Sequence, residues 1–148
     1  MEYPRAKRPK SAEGVSVGCV LDFDAKNVVL RVTLDGLVTD EGLVECNATV
    51  ARYYASHPPC RGIVDFSKVT KFEVSSDTIR RLASGSPAIP SENVRVLVTP
   101  TDVVYGMARM FQVLGEKTRP ELHVVRTLEA AYKLLGVESP EFSPVPAA

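Results

Sequence analysis

Cysteine and histidine are scarce in this chain, neither sign of charge is in excess, and no long apolar run interrupts it. Each deficit removes a class of function. The three cysteines, Cys19, Cys46 and Cys60, are odd in number, widely spaced and form no CxxC pair. That pattern is poor material for a disulfide framework or a zinc site, and it suits a reducing compartment. Two histidines, His57 and His123, cannot make a histidine-based metal cluster unless carboxylates complete it. Lys and Arg number 18, as do Asp and Glu, so the net charge is zero. Phosphate neutralisation needs a clustered surplus of cations, so neutrality argues against a nucleic-acid partner. No stretch approaches the roughly 20 apolar residues of a membrane helix, and the basic N-terminus leads into no signal-peptide core. The expected address is the cytoplasm, with no membrane span.

Catalytic fingerprints are missing too. No GxGxxG and no GxxxxGK followed by Ser or Thr occurs after a strand, and there is no GxSxG elbow. The chain therefore reads as a binding protein, with no cofactor and no metal. A small hydrolase or transferase built on Asp65 and a nearby hydroxyl is the least favoured alternative.

What is present is ordinary globular material. The 148 residues are 45% hydrophobic and 24% charged, enough to bury the core of one domain. Residues 1–14 are basic, with Pro4 and Pro9; residues 138–148 are acidic, with Pro140, Pro144 and Pro146. Both read as flexible tails flanking a single domain over 15–137.

Within that domain, Val17, Cys19, Leu21 and Phe23 alternate with polar or small residues, as do Val28, Leu30, Val32 and Leu34. The turn at Ala25-Lys26-Asn27 joins them into a hairpin closed by Asp35-Gly36. Thr39 then caps a helix whose inner stripe is Leu43, Cys46, Val50, Tyr53 and Tyr54, stopped at His57-Pro58-Pro59. His57 is expected to cap that helix's last carbonyls, and Cys60, in the connection after it, to be exposed. Gly62–Phe66 reads as a buried strand followed by a polar loop. Ser75 or Ser76 caps a second helix, Val94–Val98 is a third buried run, and Thr101 or Asp102 caps a helix with Val104, Met107, Ala108, Phe111 and Leu114 inward. Leu122–Val125 is the last strand and Thr127 caps the last helix, which stops at Gly136. The order β-β-α-β-α-β-α-β-α predicts an α/β fold with a mostly parallel sheet and an antiparallel N-terminal hairpin.

In such sheets ligands gather beyond the carboxyl ends of the strands. That rim is predicted to hold Asp35, Thr39, Asp65, Ser67, Thr70, Ser75, Ser76, Thr99, Thr101, Asp102, Arg126 and Thr127. Helix capping and turn formation account for most of these hydroxyls. Asp65, at the end of a buried strand, needs donors, from the following loop's amides or from an arginine such as Arg109. Tyr105, Arg109, Gln112 and Glu116 share the helical face opposite Met107 and Phe111. A Tyr–Arg pair there is either an interface hot spot or an arginine anchored by a carboxylate, with the tyrosine covering the sheet edge.

Gly62–Thr70 followed by Val74-Ser75-Ser76 resembles the strand-loop-helix of SpoIIAA-like (STAS) proteins. Thr99–Phe111, above all Tyr105-Gly106-Met107-Ala108-Arg109-Met110-Phe111, and Leu128–Gly136 resemble segments of the small stand-alone bacterial members, including those labelled STAS/SEC14. The likeness spans about Val15 to Gly136. It implies a βα fold used for protein contacts or small-ligand sensing. It also implies Ser75 or Ser76 as candidate phospho-acceptor, although Val74 and Asp77 depart from the family's Asp and Gly there. The expectation is a non-catalytic domain that binds a protein partner through Asp65, Thr101, Asp102, Tyr105 and Arg109. The alternative is a carrier or sensor of a small apolar, lipid-like ligand lined by Met107, Met110, Phe111 and Tyr132.

Overall fold

The computed structural model of the chain describes residues 18–146. The basic segment 1–14 lies outside them. Strands β1 (Gly18–Asp24) and β2 (Val29–Thr39) form the hairpin that their alternation predicts. Cys19 opposes Leu34, Leu21 opposes Val32 and Phe23 opposes Leu30, so one face of the ribbon is apolar throughout. There follow α1 (Asp40–Ser56), β3 (Arg61–Glu73), α2 (Ser76–Ser84), β4 (Arg95–Val98), α3 (Asp102–Leu114), β5 (Leu122–Val125), α4 (Leu128–Leu135) and β6 (Ser143–Pro144).

The six strands form one sheet in the order β5-β4-β3-β2-β1-β6. Pairings from β2 to β5 are parallel, whereas β1 runs antiparallel to both of its neighbours. The sheet is therefore mixed. Helices cover both sides. Cys46, Val50 and Tyr53 of α1, Ile79 of α2 and Val104 of α3 pack with Leu30, Val32 and Leu34 on one face. Ala131 and Leu135 of α4 pack with Val29, Ile63, Val96 and Val98 on the other.

Four expectations need correction. First, β3 does not stop at Phe66; it continues to Glu73, paired with β2 as far as Thr39. Polar side chains concealed this, because beyond Phe66 the strand is mostly exposed and is held by backbone pairing together with the packing of Val69 and Phe72 against the core. Two register shifts accommodate Gly36, whose φ of +73° favours glycine.

Second, the proline-rich C-terminus is not a free tail. Its backbone amides find fixed acceptors: Val145 donates to the Leu21 carbonyl at 2.9 Å and Glu141 to Asp24 Oδ2 at 3.1 Å. Phe142 lies over the Arg31 guanidinium at 4.1 Å. β6 thus covers the edge that β1 would otherwise expose.

Third, Cys19 and Cys46 form a disulfide, with Cα atoms 5.9 Å apart. Strand alternation and helix periodicity turn both residues to the same interior, and two such faces meet at bridging distance. Fourth, Cys60 is buried, at 6% exposure, and its carbonyl accepts from the Tyr54 hydroxyl at 3.0 Å. His57 acts as expected: its Nδ1 lies 2.9 Å from the Tyr53 carbonyl and its ring stacks on Tyr53.

Thiol titration of the unfolded, unreduced protein should find one free sulfhydryl, that of Cys60. Reduction should lower stability by about 3.5 kcal/mol, the loop-closure value for cysteines 27 residues apart. Three titratable thiols without reductant would refute the pairing.

Asp24 offers a second check. Its carboxylate is wholly buried and accepts from the Asn27 amide, Asn27 Nδ2 and the Glu141 amide. Burial alone would raise its pKa, but those donors outweigh burial and hold it below the ordinary carboxylate range. A depressed folded pKa contributes stability that is complete above the unfolded value of about 4 and is lost as pH falls through the folded value. Asp24→Ala should cost about 2–3 kcal/mol in urea unfolding at neutral pH, because it strands buried amides. The protection of the Glu141 amide against hydrogen exchange, taken relative to its intrinsic rate, should fall in the variant at pH 7, and in the wild type only on acidification.

Candidate functional site

The rim hydroxyls are largely occupied by helix capping. Thr39 accepts from the Gly42 amide at 3.1 Å, Ser75 from Thr78 at 3.3 Å, Thr101 from Val104 at 3.4 Å and Thr127 from Ala130 at 3.0 Å. Thr99 is buried and donates to the Val125 carbonyl. At the start of α2 the Ser75 amide also donates to Asp40 Oδ1 at 2.7 Å. That bond is the main reason the Asp40 carboxyl sits below its usual range, against burial and helped by Thr78, the Ser75 hydroxyl and Arg81. A carboxylate so close makes a poor neighbour for a phosphate on Ser75. Ser76, one residue into the helix, is exposed.

The five residues expected to form a partner surface do not come together. Asp65 is 3% exposed and its Oδ1 accepts from the Ser67 amide at 2.9 Å, inside the irregular stretch of β3. Its donor is the backbone of β3 two residues on, and not Arg109. Arg109 donates instead to Gln112 Oε1 at 2.7 Å, and Gln112 in turn to the Leu122 carbonyl. The arginine beside Tyr105 is Arg126, 4.7 Å over its ring. Arg126 also donates to Asp102 Oδ1 and to the Pro100 carbonyl, each at 2.9 Å. Asp102, Tyr105 and Arg126 are thus the cluster the rim builds, next to Val103, which is 64% exposed.

A more distinctive feature lies inside. Parallel register aligns two rows across the sheet on the side of α1, α2 and α3: Leu30, Gly62, Arg95, Leu122 and Val32, Val64, Leu97, Val124. Seven of these eight positions are apolar or glycine; the eighth is Arg95. Above the rows is a cavity of about 130 Å³. Its walls are almost wholly apolar, with Val50 from α1, Ile79 from α2, Val104, Met107, Ala108 and Phe111 from α3, and Ile89 from the connection before β4. Met107 and Phe111 line it as expected. Met110 packs nearby without lining it, and Tyr132 lies on the opposite face of the sheet.

Two buried arginines, Arg95 and Arg119, line this space, 4% and 5% exposed. Arg119 is engaged through both terminal nitrogens: Nη1 donates to the Ala83 carbonyl and Thr118 Oγ1, and Nη2 to the carbonyls of Leu82 and Gly85, closing the C-terminus of α2. Its guanidinium lies 4.8 Å over the Phe111 ring. Arg95 is engaged on one side only. Nη2 donates to the carbonyls of Ile89 and Pro90 at 2.9 and 2.7 Å, while Nε and Nη1 are buried without a partner. Burial lowers both arginines, and the charge of Arg95 lowers Arg119 further. Gly62 makes room beside Arg95. A Cβ there would stand 2.6 Å from Ile89 Cδ1 and 3.2 Å from the Tyr54 hydroxyl.

Arg95, Arg119, Gly62 and the pairing of Arg126 with Tyr105 are what sequence reasoning missed. For Arg95 a signal existed: alternation along Val94–Val98 puts it on the face of Leu97. No protein-family model matches the chain, and no curated protein is significantly similar to it.

Capping and modification make different demands on the two serines. Ser75→Ala should cost about 1 kcal/mol in urea unfolding by losing the N-cap. Ser76→Ala should stay within about 0.5 kcal/mol. Equal costs would contradict the capping assignment.

Proposed function

We propose that this protein is a non-catalytic, SpoIIAA-like binding domain that carries or senses a small, mainly apolar ligand held between its sheet and helices α1, α2 and α3. The cavity supports this reading most directly. Well-packed cores rarely leave space beyond a single water, and an apolar cavity of about 150 Å³ is known to take up benzene. A void of about 130 Å³ lined by aliphatic side chains, Met107 and Phe111 is of that class. The engagement of Asp65 and of the capping hydroxyls with the backbone favours binding over catalysis. The run of parallel strands from β2 to β5 with intervening helices agrees with a SpoIIAA-like assignment.

The cluster of Asp102, Tyr105 and Arg126 favours a second, compatible reading, a protein partner at the rim. Helix α3 serves both: Val104, Met107, Ala108 and Phe111 face the cavity, and Tyr105 meets Arg126 outside.

Native mass spectrometry of freshly purified protein should detect a bound small molecule. Alternatively, added toluene should shift the methyl signals of Val50, Leu97 and Met107 in NMR spectra. Ala108→Phe, which fills the cavity, should abolish either effect while the fold persists. If no molecule, co-purified or added, enters the wild-type cavity, the ligand reading fails.

A further inference from the structure

We infer that the cavity's ligand is a compact amphipathic anion, a carboxylate of benzoate or hexanoate size, for which the Arg95 side chain turns so that its unpartnered Nε–H and Nη1–H groups meet the charged end. The inference rests on the ligand-binding reading above and names the chemistry that reading leaves open. The argument begins with Arg95 itself. A buried guanidinium normally has its donors satisfied, because a stranded charged donor forfeits its hydration without return. Here Nη2 is satisfied by two carbonyls, while Nε and Nη1 are buried and unpartnered among the described residues. The side chain lines a cavity whose remaining walls, Arg119 and Asn47 apart, are apolar.

No carboxylate of the described residues forms an ion pair with Arg95. Glu92 and Glu121 act on it only from a distance, and both are exposed. Arg119 adds a second positive charge on the same wall, with its Nη1 and Nη2 donors spent on α2 and Thr118. It raises the local potential, and its paired terminal nitrogens are not free for a fork of bonds to a carboxylate. Two buried cations with no ion-pair partner among the described residues ask for a negative group, and the space beside them accepts an apolar body. A neutral apolar ligand would fill the space and leave Arg95 as it is. A larger lipid tail would exceed the volume.

The experiment uses the full chain at neutral pH and two probes of matched size, benzoate and benzyl alcohol, titrated by calorimetry and NMR. A hydrogen bond to a charged group predicts a preference of about tenfold or more for benzoate. Arg95→Met, which keeps an unbranched apolar stem and removes the charge and its donors, should erase that preference while benzyl alcohol still binds. In the wild type, benzoate should shift the Arg95 Nε–H resonance and benzyl alcohol should not; this readout stands even if the variant does not fold. Equal affinities, a preference for the alcohol, an unmoved Arg95 signal, or a preference that survives in Arg95→Met each overturns the anion assignment. Entry of toluene or benzyl alcohol without any preference for benzoate leaves the ligand-binding reading intact. If neither probe binds and toluene also fails to enter, both readings fall.

Discussion

The parallel pairing of β2 with β3 is the constraint on which the other features depend. It runs from Val29 opposite Arg61 to Thr39 opposite Glu73, and it fixes which residues share each row of the sheet. Because side chains alternate with a period of two, a slip of one residue would exchange the two faces. In the observed register Leu30 aligns with Gly62, and Gly62 aligns with Arg95. The cavity floor, the space that Tyr54 and Ile89 occupy over Gly62, and the single cation among apolar neighbours all follow from that alignment. So does the other face, where Val29, Ile63, Val96 and Val98 meet α4.

Stability alone does not account for Arg95. Replacing a buried ionic group by an apolar residue of similar volume is often neutral or stabilising, and a leucine at this position would complete the rows of the floor. Arg119 differs. Each of its bonds closes a carbonyl at the end of α2 or holds Thr118, so its burial is repaid by the backbone it satisfies. The contrast between two equally buried arginines, one bonded through both terminal nitrogens and one through Nη2 alone, is what the proposed binding role of Arg95 rests on.

Much of the fold was legible because it rests on periodicity. The hairpin, the four helices and the caps at Thr39, Ser75, Thr101 and Thr127 follow from local pattern, and local pattern is what one sequence carries. Features created by distant chain segments were not legible. The Cys19–Cys46 pairing joins a strand to a helix, β6 returns to the N-terminal edge, and the far half of β3 is held by backbone bonds that polar side chains do not announce. The site divides in the same way. Asp102 and Arg126 were visible as rim residues and Tyr105 as a helix-face residue, but that Arg126 and not Arg109 lies over the Tyr105 ring was not legible. Asp65 looked chemical because a buried acid is rare, yet a bulged strand needs an acceptor there.

Helix α3 brings the two halves of the proposed function together. It contributes cavity wall through Val104, Met107, Ala108 and Phe111 and rim surface through Tyr105, and its first turn is held by Thr101. A ligand changes the affinity of the rim for a partner only if it binds more tightly to one position of that helix than to another. The same coupling then runs in reverse, so a partner on Tyr105 alters the affinity of the cavity by an equal factor. Arg126 is part of the linkage, since it reaches from the end of β5 to the Pro100 carbonyl, Asp102 and the Tyr105 ring at once. Any displacement of α3 that leaves the sheet in place must break or lengthen those contacts. The rim cluster therefore resists movement of the cavity wall, and an occupant that fits the resting cavity meets a wall already held in position, with less ordering cost on binding.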